Sequence, residues 1–109
     1  MSVALGYIVV RCEALEDSVR FYRTLGLELV RERHGGGPEH YSARIGELVL
    51  ELYPARKERT AGVRLGLIVD DLAGVVARLI EGGAEVSQRG GEWVVVDPDG
   101  HVIALSSSS

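Results

Sequence analysis

The sequence predicts an α+β fold built from two tandem βαβββ modules, and two observations carry this prediction. Segments with apolar residues at every second position, which is typical of strands, surround two segments with apolar residues at helical spacing. The order of these segments in residues 5–54 is repeated in residues 63–107. A length of 109 residues suits a single domain formed from both copies.

The first module is predicted to begin with a strand in residues 5–12, where Ile8, Val10 and Cys12 share one face. A helix with the apolar face Leu15, Val19, Tyr22 and Leu25 follows and ends at Gly26. The remaining strands are expected at residues 27–33, 40–45 and 47–54, with a glycine-rich loop before the second of these. In the last strand, Leu48, Leu50 and Leu52 share one face.

The second module follows the same order. Its first strand carries Leu65, Leu67 and Val69 on one face, and its helix is expected to be capped by Asp71 and to end at Gly82 and Gly83. The apolar face of this helix is predicted to contain Leu72, Val76, Leu79 and Ile80. Three strands follow in residues 84–88, 92–97 and 101–107. Asp97-Pro98-Asp99-Gly100 is a strong turn signal, because proline fixes φ and glycine accepts positive φ.

A fixed shift of 57 positions carries the first strand and helix of one module onto those of the other, and Tyr7 onto Arg64. In the last strands the shift is 53 positions and carries Glu51 onto Ala104. The glycine loop of the first module accounts for this difference. The modules are predicted to occupy about residues 1–55 and 63–109, joined by a basic linker at about 56–62.

Composition excludes several classes of protein. The net charge of −4 disfavours a nucleic-acid partner, because phosphate binding needs a basic patch. The sequence has no apolar run of the roughly 20 residues that a membrane span needs, and no signal peptide is recognised. A single cysteine, Cys12, rules out an intrachain disulfide and favours a cytoplasmic location.

Three segments together resemble the vicinal oxygen chelate superfamily, which includes glyoxalases, extradiol dioxygenases and bleomycin-resistance proteins. They are "LEDSVRFYRTLGLELV", "LIVDDLAGVVARLIEGGAEV" and "VVVDPDGHVIAL", the last with His101 where the family usually has asparagine. The resemblance covers nearly the whole chain. It implies that the two modules form curled sheets around a cleft, with the helices on the outer faces, and that two chains form a homodimer.

The resemblance also locates the metal ligands of the metal-dependent relatives at Tyr7, Glu51, Arg64 and Ala104. Only Glu51 retains a usual ligand type there. Arginine stays protonated, alanine has no donor atom, and a protonated tyrosine is a poor ligand. A divalent catalytic site generally needs about three protein ligands. We therefore expect no metal at this position and no cofactor.

The alternation of apolar residues places Glu51 and Arg64 on the faces opposite the helices, and hence on the cleft side. One interpretation is a salt bridge or a solvated sheet face; the other is a pair of polar anchors that bind a ligand together with Tyr7. Trp93 is a further candidate for ligand binding, with core packing or a dimer contact as the alternatives. His34 and His40, beside Glu39, flank the glycine loop and are either solvated or a metal site.

Four functions are compatible with these residues. The one we favour is a metal-free protein that binds a small molecule of unknown identity in a cleft. The second is an enzyme of the lyase, isomerase or dioxygenase type that uses Glu51 as its catalytic acid or base. The third is a metal enzyme with relocated ligands, and the fourth is a protein-interaction module.

Overall fold

The computed structural model describes residues 2–108, and they form two four-stranded sheets with one helix each. Module one contains β1 (Tyr7–Cys12), α1 (Leu15–Thr24), β2 (Val30–Glu32), β3 (His40–Ile45) and β4 (Leu48–Pro54). Module two contains β5 (Arg64–Val69), α2 (Leu72–Glu81), β6 (Ser87–Arg89), β7 (Glu92–Val96) and β8 (Val102–Ser107). Among the described residues, no helix is long and apolar enough to span a membrane.

The two sheets have the same topology, which confirms the predicted α+β fold with two βαβββ modules. The strand orders are β1-β4-β3-β2 and β5-β8-β7-β6, and in each sheet the first and last strands of the module are parallel. Tyr7 lies opposite Val49, and Arg64 lies opposite Val102. These two pairs are related by the shifts of 57 and 53 positions, so the internal alignment of the sequence holds in the structure.

Helix α2 begins, and both helices end, where their capping residues predict. The Asp71 side chain accepts a hydrogen bond from the Gly74 amide at 3.1 Å, which satisfies a free N–H group of α2. Gly26 and Gly83 follow the helices with φ of 110° and 91°, a conformation that favours glycine. The prediction of Ile80 as a core residue is wrong: its side chain is exposed, and Val75 takes the buried position.

Each sheet has one face against the core and one face turned away from it. The core side is formed by buried residues that include Val10, Leu50, Leu52, Ile103 and Leu105. We call the opposite side the open face. The module-one open face includes Tyr7, Val30, Glu32, His40, Ser42, Glu51 and Tyr53, and the module-two open face includes Arg64, Gly66, Ile68, Val94, Val96 and Ala104.

The turn between β7 and β8 joins the modules. The Tyr22 hydroxyl of α1 donates a hydrogen bond of 2.5 Å to Asp97, and Asp99 accepts hydrogen bonds from the Glu13 amide and the Ser18 hydroxyl. The second Asp97 oxygen accepts from the amides of Asp99 and His101, both at 2.9 Å. This turn therefore fixes module two against the helix of module one.

The His101 ring lies inside the protein at this turn. The residue is 1 % exposed, and neither ring nitrogen has a hydrogen-bond partner among the described residues. The backbone amide, rather than the ring, makes the hydrogen bond that supports the turn. The imidazole therefore contributes packing at the cost of two unpaired polar atoms.

Candidate functional site

The strand register gathers four polar side chains at the centre of the module-one open face. Glu32 lies opposite His40 in the β2–β3 pair, and Ser42 lies opposite Glu51 in the β3–β4 pair. Because cross-strand neighbours on one face are within side-chain reach, residues far apart in sequence meet here. The Ser42 hydroxyl donates a hydrogen bond of 2.7 Å to Glu32, which holds that carboxylate in place.

His40 is the centre of this group. Its Nε2 atom lies 3.5 Å from a Glu32 oxygen, 3.7 Å from a Glu51 oxygen and 3.4 Å from the Tyr53 hydroxyl. The imidazole stacks on the Tyr53 ring, with the ring centres 4.1 Å apart and the planes at 7°. Since His40 is 1 % exposed, these neighbours replace solvent around it.

The glycine loop brings a second histidine to the same place. His34 Nε2 lies 3.8 Å from the Glu32 carboxylate, and the rings of His34 and His40 are 5.0 Å apart. A hydrogen bond of 3.0 Å from the Gly37 amide to the His34 carbonyl closes the turn. Of the two acids near this loop, Glu32 is therefore the neighbour of the histidines, whereas Glu39 pairs with Arg31 at 3.4 Å.

Burial changes the acid–base behaviour of Tyr53. Loss of hydration, and then the nearby charge of Glu51, raise the pKa of the Tyr53 hydroxyl above its ordinary value, and Arg11 opposes this with a smaller effect. The Tyr53 hydroxyl is therefore protonated at neutral pH and can donate a hydrogen bond. The Glu51 side chain is 17 % exposed, so its carboxylate is shielded yet reachable from solvent. Together they offer a donor and an acceptor to a ligand.

The other residues predicted for the site do not meet at this cluster. Arg64 forms an ion pair with Glu92 at 3.8 Å, so the ion pairs that the structure describes do not join it to Glu51. Tyr7 lies on the module-one open face at the start of β1 and is 65 % exposed. Trp93 is partly buried against the core. Of the roles considered for it, this position favours core packing over ligand binding.

The four positions that hold metal in related proteins do not fit a metal here. Ala104 has no donor atom, and the Arg64 guanidinium is a cation that already pairs with Glu92. Glu51 and Tyr7 are the remaining pair, and two ligands fall short of the usual three. We therefore derive no chemistry through a metal at that position.

A cavity of about 430 Å³ lies elsewhere. It separates the end of α1 from β5 and α2, and its walls include Leu25, Ile45, Leu67 and Val75. Two of its polar side chains have structural roles: Asp71 caps α2, and Arg78 donates to the Thr24 carbonyl at 3.4 Å. The polar group of Glu32, His40, Ser42 and Glu51 lies outside this cavity.

Paired βαβββ modules with polar side chains on an open sheet face define proteins of the vicinal oxygen chelate type. The profile of the family described as "Glyoxalase-like domain" matches residues 7–106, and the chain belongs to this family. A search of curated proteins by sequence finds no match.

Solved structures extend this relationship. TnmS3, an antibiotic binding protein from a Streptomyces species, is 28 % identical with a TM-score of 0.76, and the match covers 100 % of this chain and 99 % of TnmS3. A glyoxalase/bleomycin resistance protein from a Streptomyces species is 27 % identical with a TM-score of 0.70, covering 94 % and 99 % of the two chains. The oxidase ChaP-H2, at 21 % identity, TM-score 0.76 and coverage of 100 % and 96 %, shares the fold.

Sequence reasoning missed Glu32 and Tyr53, and it considered His40 only with His34 and Glu39, as solvated residues or a metal site beside the glycine loop. The alternation of His40, Ser42 and Arg44 in a predicted strand was available as a signal. The Gly46 turn, with φ of 61°, sets the hairpin register and so places Ser42 beside Glu51. Counting the register back from this turn would have located the cluster.

Proposed function

We propose that the protein binds a small organic molecule on the module-one open face, without the divalent metal that related proteins hold at the positions of Tyr7, Glu51, Arg64 and Ala104. The observation that carries the proposal is a shielded polar cluster flanked by exposed apolar side chains. Tyr7 and Val30 are 65 % and 61 % exposed on the same face as Glu51 and His40. Ligand sites in proteins commonly combine apolar walls with a few fixed polar groups.

We propose further that a second copy of the chain closes this site. The module-two open face exposes Ile68 and Val96 at 72 % and 53 %, and its other residues there include Gly66 and Ala104. Burial of such apolar surface between two chains would stabilise a dimer by roughly 25 cal/mol for each Å² removed from water. A module-two open face from one chain above the module-one open face of another would form a cleft with a polar floor and an apolar roof.

The class of ligand follows from the floor of this cleft. The Tyr53 ring is covered by His40 and the Arg11 guanidinium, so the exposed aromatic surface of the floor is the Tyr7 ring, together with hydrogen-bonding groups at Tyr53 and Glu51. We infer that the ligand is an aromatic or polycyclic molecule with a polar substituent. The antibiotic-binding activity named for TnmS3 supports natural products of this kind as the first candidates.

Thermal unfolding with a panel of aromatic and glycopeptide antibiotics tests the proposal. A ligand that binds the native state raises the melting temperature by mass action. For any ligand found, Glu51→Gln should weaken binding about tenfold or more, because it removes a charged acceptor. Glu47→Gln, an exposed acid in the turn before β4, is the matched control and should leave the affinity unchanged. Unchanged affinity of Glu51→Gln would show that the ligand binds elsewhere.

The contact between Glu51 and His40 favours enzyme activity as a second candidate function. A shielded carboxylate 3.7 Å from an imidazole can accept a proton from a bound substrate, and the Tyr53 hydroxyl can donate to a developing negative charge. Assays with small carbonyl and epoxide substrates test this candidate. Glu51→Gln should lower kcat by about 100-fold or more with little change in KM. Activity that survives this change would exclude Glu51 as the base.

A further inference from the structure

We propose that Glu32, His34 and His40 form a binding site for one first-row divalent transition-metal ion. The site lies within module one. It uses none of the four positions, Tyr7, Glu51, Arg64 and Ala104, at which related proteins bind metal. It goes beyond the proposed binding of an organic ligand and does not depend on it. Each of the three residues offers one ligand atom, and these atoms all lie within 4.8 Å of one another.

The spacing of the donor atoms suits a tetrahedral ion. Two ligands about 2.0–2.1 Å from a zinc ion are roughly 3.3 Å apart in tetrahedral geometry. Here Glu32 Oε1 is 3.5 Å from His40 Nε2 and 3.8 Å from His34 Nε2. The donor nitrogens of His34 and His40 lie within 4.8 Å of each other, so a movement of the His34 side chain by about 1.5 Å or less would complete coordination. His34 is the most exposed of the three, and its side chain can make this adjustment in the loop.

The orientation of His40 is a second, independent observation. Its Nδ1 atom lies 3.2 Å from the Pro38 carbonyl, which can only accept, so Nδ1 carries the proton. In the neutral ring, Nε2 then presents a lone pair to carboxylate oxygens of Glu32 and Glu51. The Tyr53 hydroxyl, 3.4 Å away, can donate one hydrogen bond to this lone pair, and a metal ion bound there would be attracted by the lone pair and by both carboxylates. A histidine whose other nitrogen donates to a backbone carbonyl is the usual arrangement at metal centres.

The neighbours of the site match the supporting shell of a metal centre. Ser42 donates a hydrogen bond of 2.7 Å to Glu32 and so orients a ligand carboxylate. Three protein ligands leave at least one coordination position open. Glu51, with an oxygen 3.7 Å from His40 Nε2, is near enough to accept a hydrogen bond from a water molecule in that position.

The donor set selects the kind of metal. Two imidazoles and one carboxylate favour zinc, nickel, cobalt, copper or ferrous iron, whereas magnesium and calcium prefer sites built from oxygen alone. The test therefore uses Zn²⁺ with Mg²⁺ as the comparison ion, on protein without a histidine tag and treated with chelator. Calorimetric titration should show one Zn²⁺ per chain and no binding of Mg²⁺.

Variants identify the ligands. His34→Ala and Glu32→Gln change side chains that are 71 % and 37 % exposed, so the fold should survive them. Each should weaken Zn²⁺ binding at least tenfold. Glu39→Gln alters the loop acid that pairs with Arg31 and should leave the affinity unchanged. Co²⁺ supplies a second readout, because its visible absorption reports tetrahedral coordination and should fall in His34→Ala.

Two results would overturn this proposal. One is the absence of saturable Zn²⁺ binding to the chelator-treated protein. The other is binding that His34→Ala and Glu32→Gln leave intact, which would assign the ion to a different place. Because the probe is the metal alone, these results are separate from the antibiotic titration, and either proposal can fail while the other stands.

Discussion

The Tyr22 hydroxyl donates a hydrogen bond of 2.5 Å to the Asp97 carboxylate, and this contact joins the helix of module one to the last turn of module two. Tyr22 is fully buried, and Asp97 is 4 % exposed. Burial, and then the hydrogen bond to Asp97, raise the pKa of the Tyr22 hydroxyl, so it stays a donor. A charge-assisted hydrogen bond inside the protein therefore adds to the other contacts between the two modules.

Replacing Tyr22 by phenylalanine should destabilise the protein by about 1.5–3 kcal/mol, because it leaves a buried carboxylate with one partner fewer. Chemical denaturation followed by circular dichroism measures this change. Tyr7→Phe is the matched control, since it removes an exposed hydroxyl, and it should change the free energy of unfolding by less than about 0.5 kcal/mol. Equal effects of the two variants would show that the contact with Asp97 contributes little.

Cys12 makes the stability depend on pH in alkaline solution. Burial raises the pKa of the Cys12 thiol from 9.0 to about 11, so the folded state holds this proton more tightly than the unfolded state. The resulting stabilisation is complete below pH 9 and is lost as the pH rises to 11. The free energy of unfolding should therefore fall more steeply over this range in the wild type than in Cys12→Ala, with a difference of about 2 kcal/mol.

The Cys12→Ala comparison isolates the thiol because that variant retains Tyr22, whose hydroxyl also titrates in alkaline solution. Parallel curves for the two proteins between pH 9 and 11 would contradict the assignment. Native Cys12 should also react slowly with thiol reagents at pH 8, since the reactive thiolate is disfavoured there.

The unpaired ring of His101 predicts a stabilising substitution. His101→Leu replaces two buried polar atoms without partners by apolar groups of similar volume, and should raise the free energy of unfolding by about 1 kcal/mol. The backbone hydrogen bond from residue 101 to Asp97 is retained. His34→Leu, at an exposed ring, should give no such gain in metal-free buffer. A loss of stability in His101→Leu would mean that the imidazole has a favourable partner in solution.

A homodimer stays a prediction, and Ile68 supplies its sharpest test. Ile68→Lys introduces a charge on the module-two open face and should convert a dimer into a monomer in sedimentation equilibrium, because burying an unpaired charge is costly. Ile80→Lys is the control: Ile80 is 56 % exposed, but on a helix away from the open faces. A monomeric wild type at micromolar concentration would exclude the closed cleft.

Double-mutant cycles separate the two interactions considered for Glu51. The contact with His40 predicts coupling between Glu51→Gln and His40→Gln of about 0.5 kcal/mol or more. Glu51→Gln and Arg64→Ala should be additive in the monomer, since Arg64 pairs with Glu92. Coupling between Glu51 and Arg64 at concentrations that favour a dimer would instead show that the two residues meet across two chains.

The fold was readable from the sequence because its periodicities are local. The alternation of residues in β3 predicts a strand, and the equivalent glycines Gly26 and Gly83 predict the ends of the helices. In the structure, α1 and α2 are related by the expected shift of 57 positions. Ile80 shows the limit of such patterns. It follows Val76 at helical spacing, yet Val75 lies closer to the centre of the buried side and takes its place.

The site was less readable because it depends on pairing between strands. The alternation of side chains places Glu51 and Arg64 on the open faces of their sheets. This alternation identifies the face on which a residue lies, but it does not identify the residues next to it. The neighbours of Glu51 are set by the β3–β4 register, which brings in Ser42, and by the stacking of His40 on Tyr53. Side-chain pairing of this kind requires knowledge of which strands are adjacent.

The two open faces have become different since the duplication. Module one has Glu51 where module two has Ala104, and Tyr7 where module two has Arg64. The shielded carboxylate of the first copy is thus replaced by a methyl group in the second. Substitutions on the module-two open face can therefore change which ligands fit the protein. The ionisable groups of the module-one open face need not change with them.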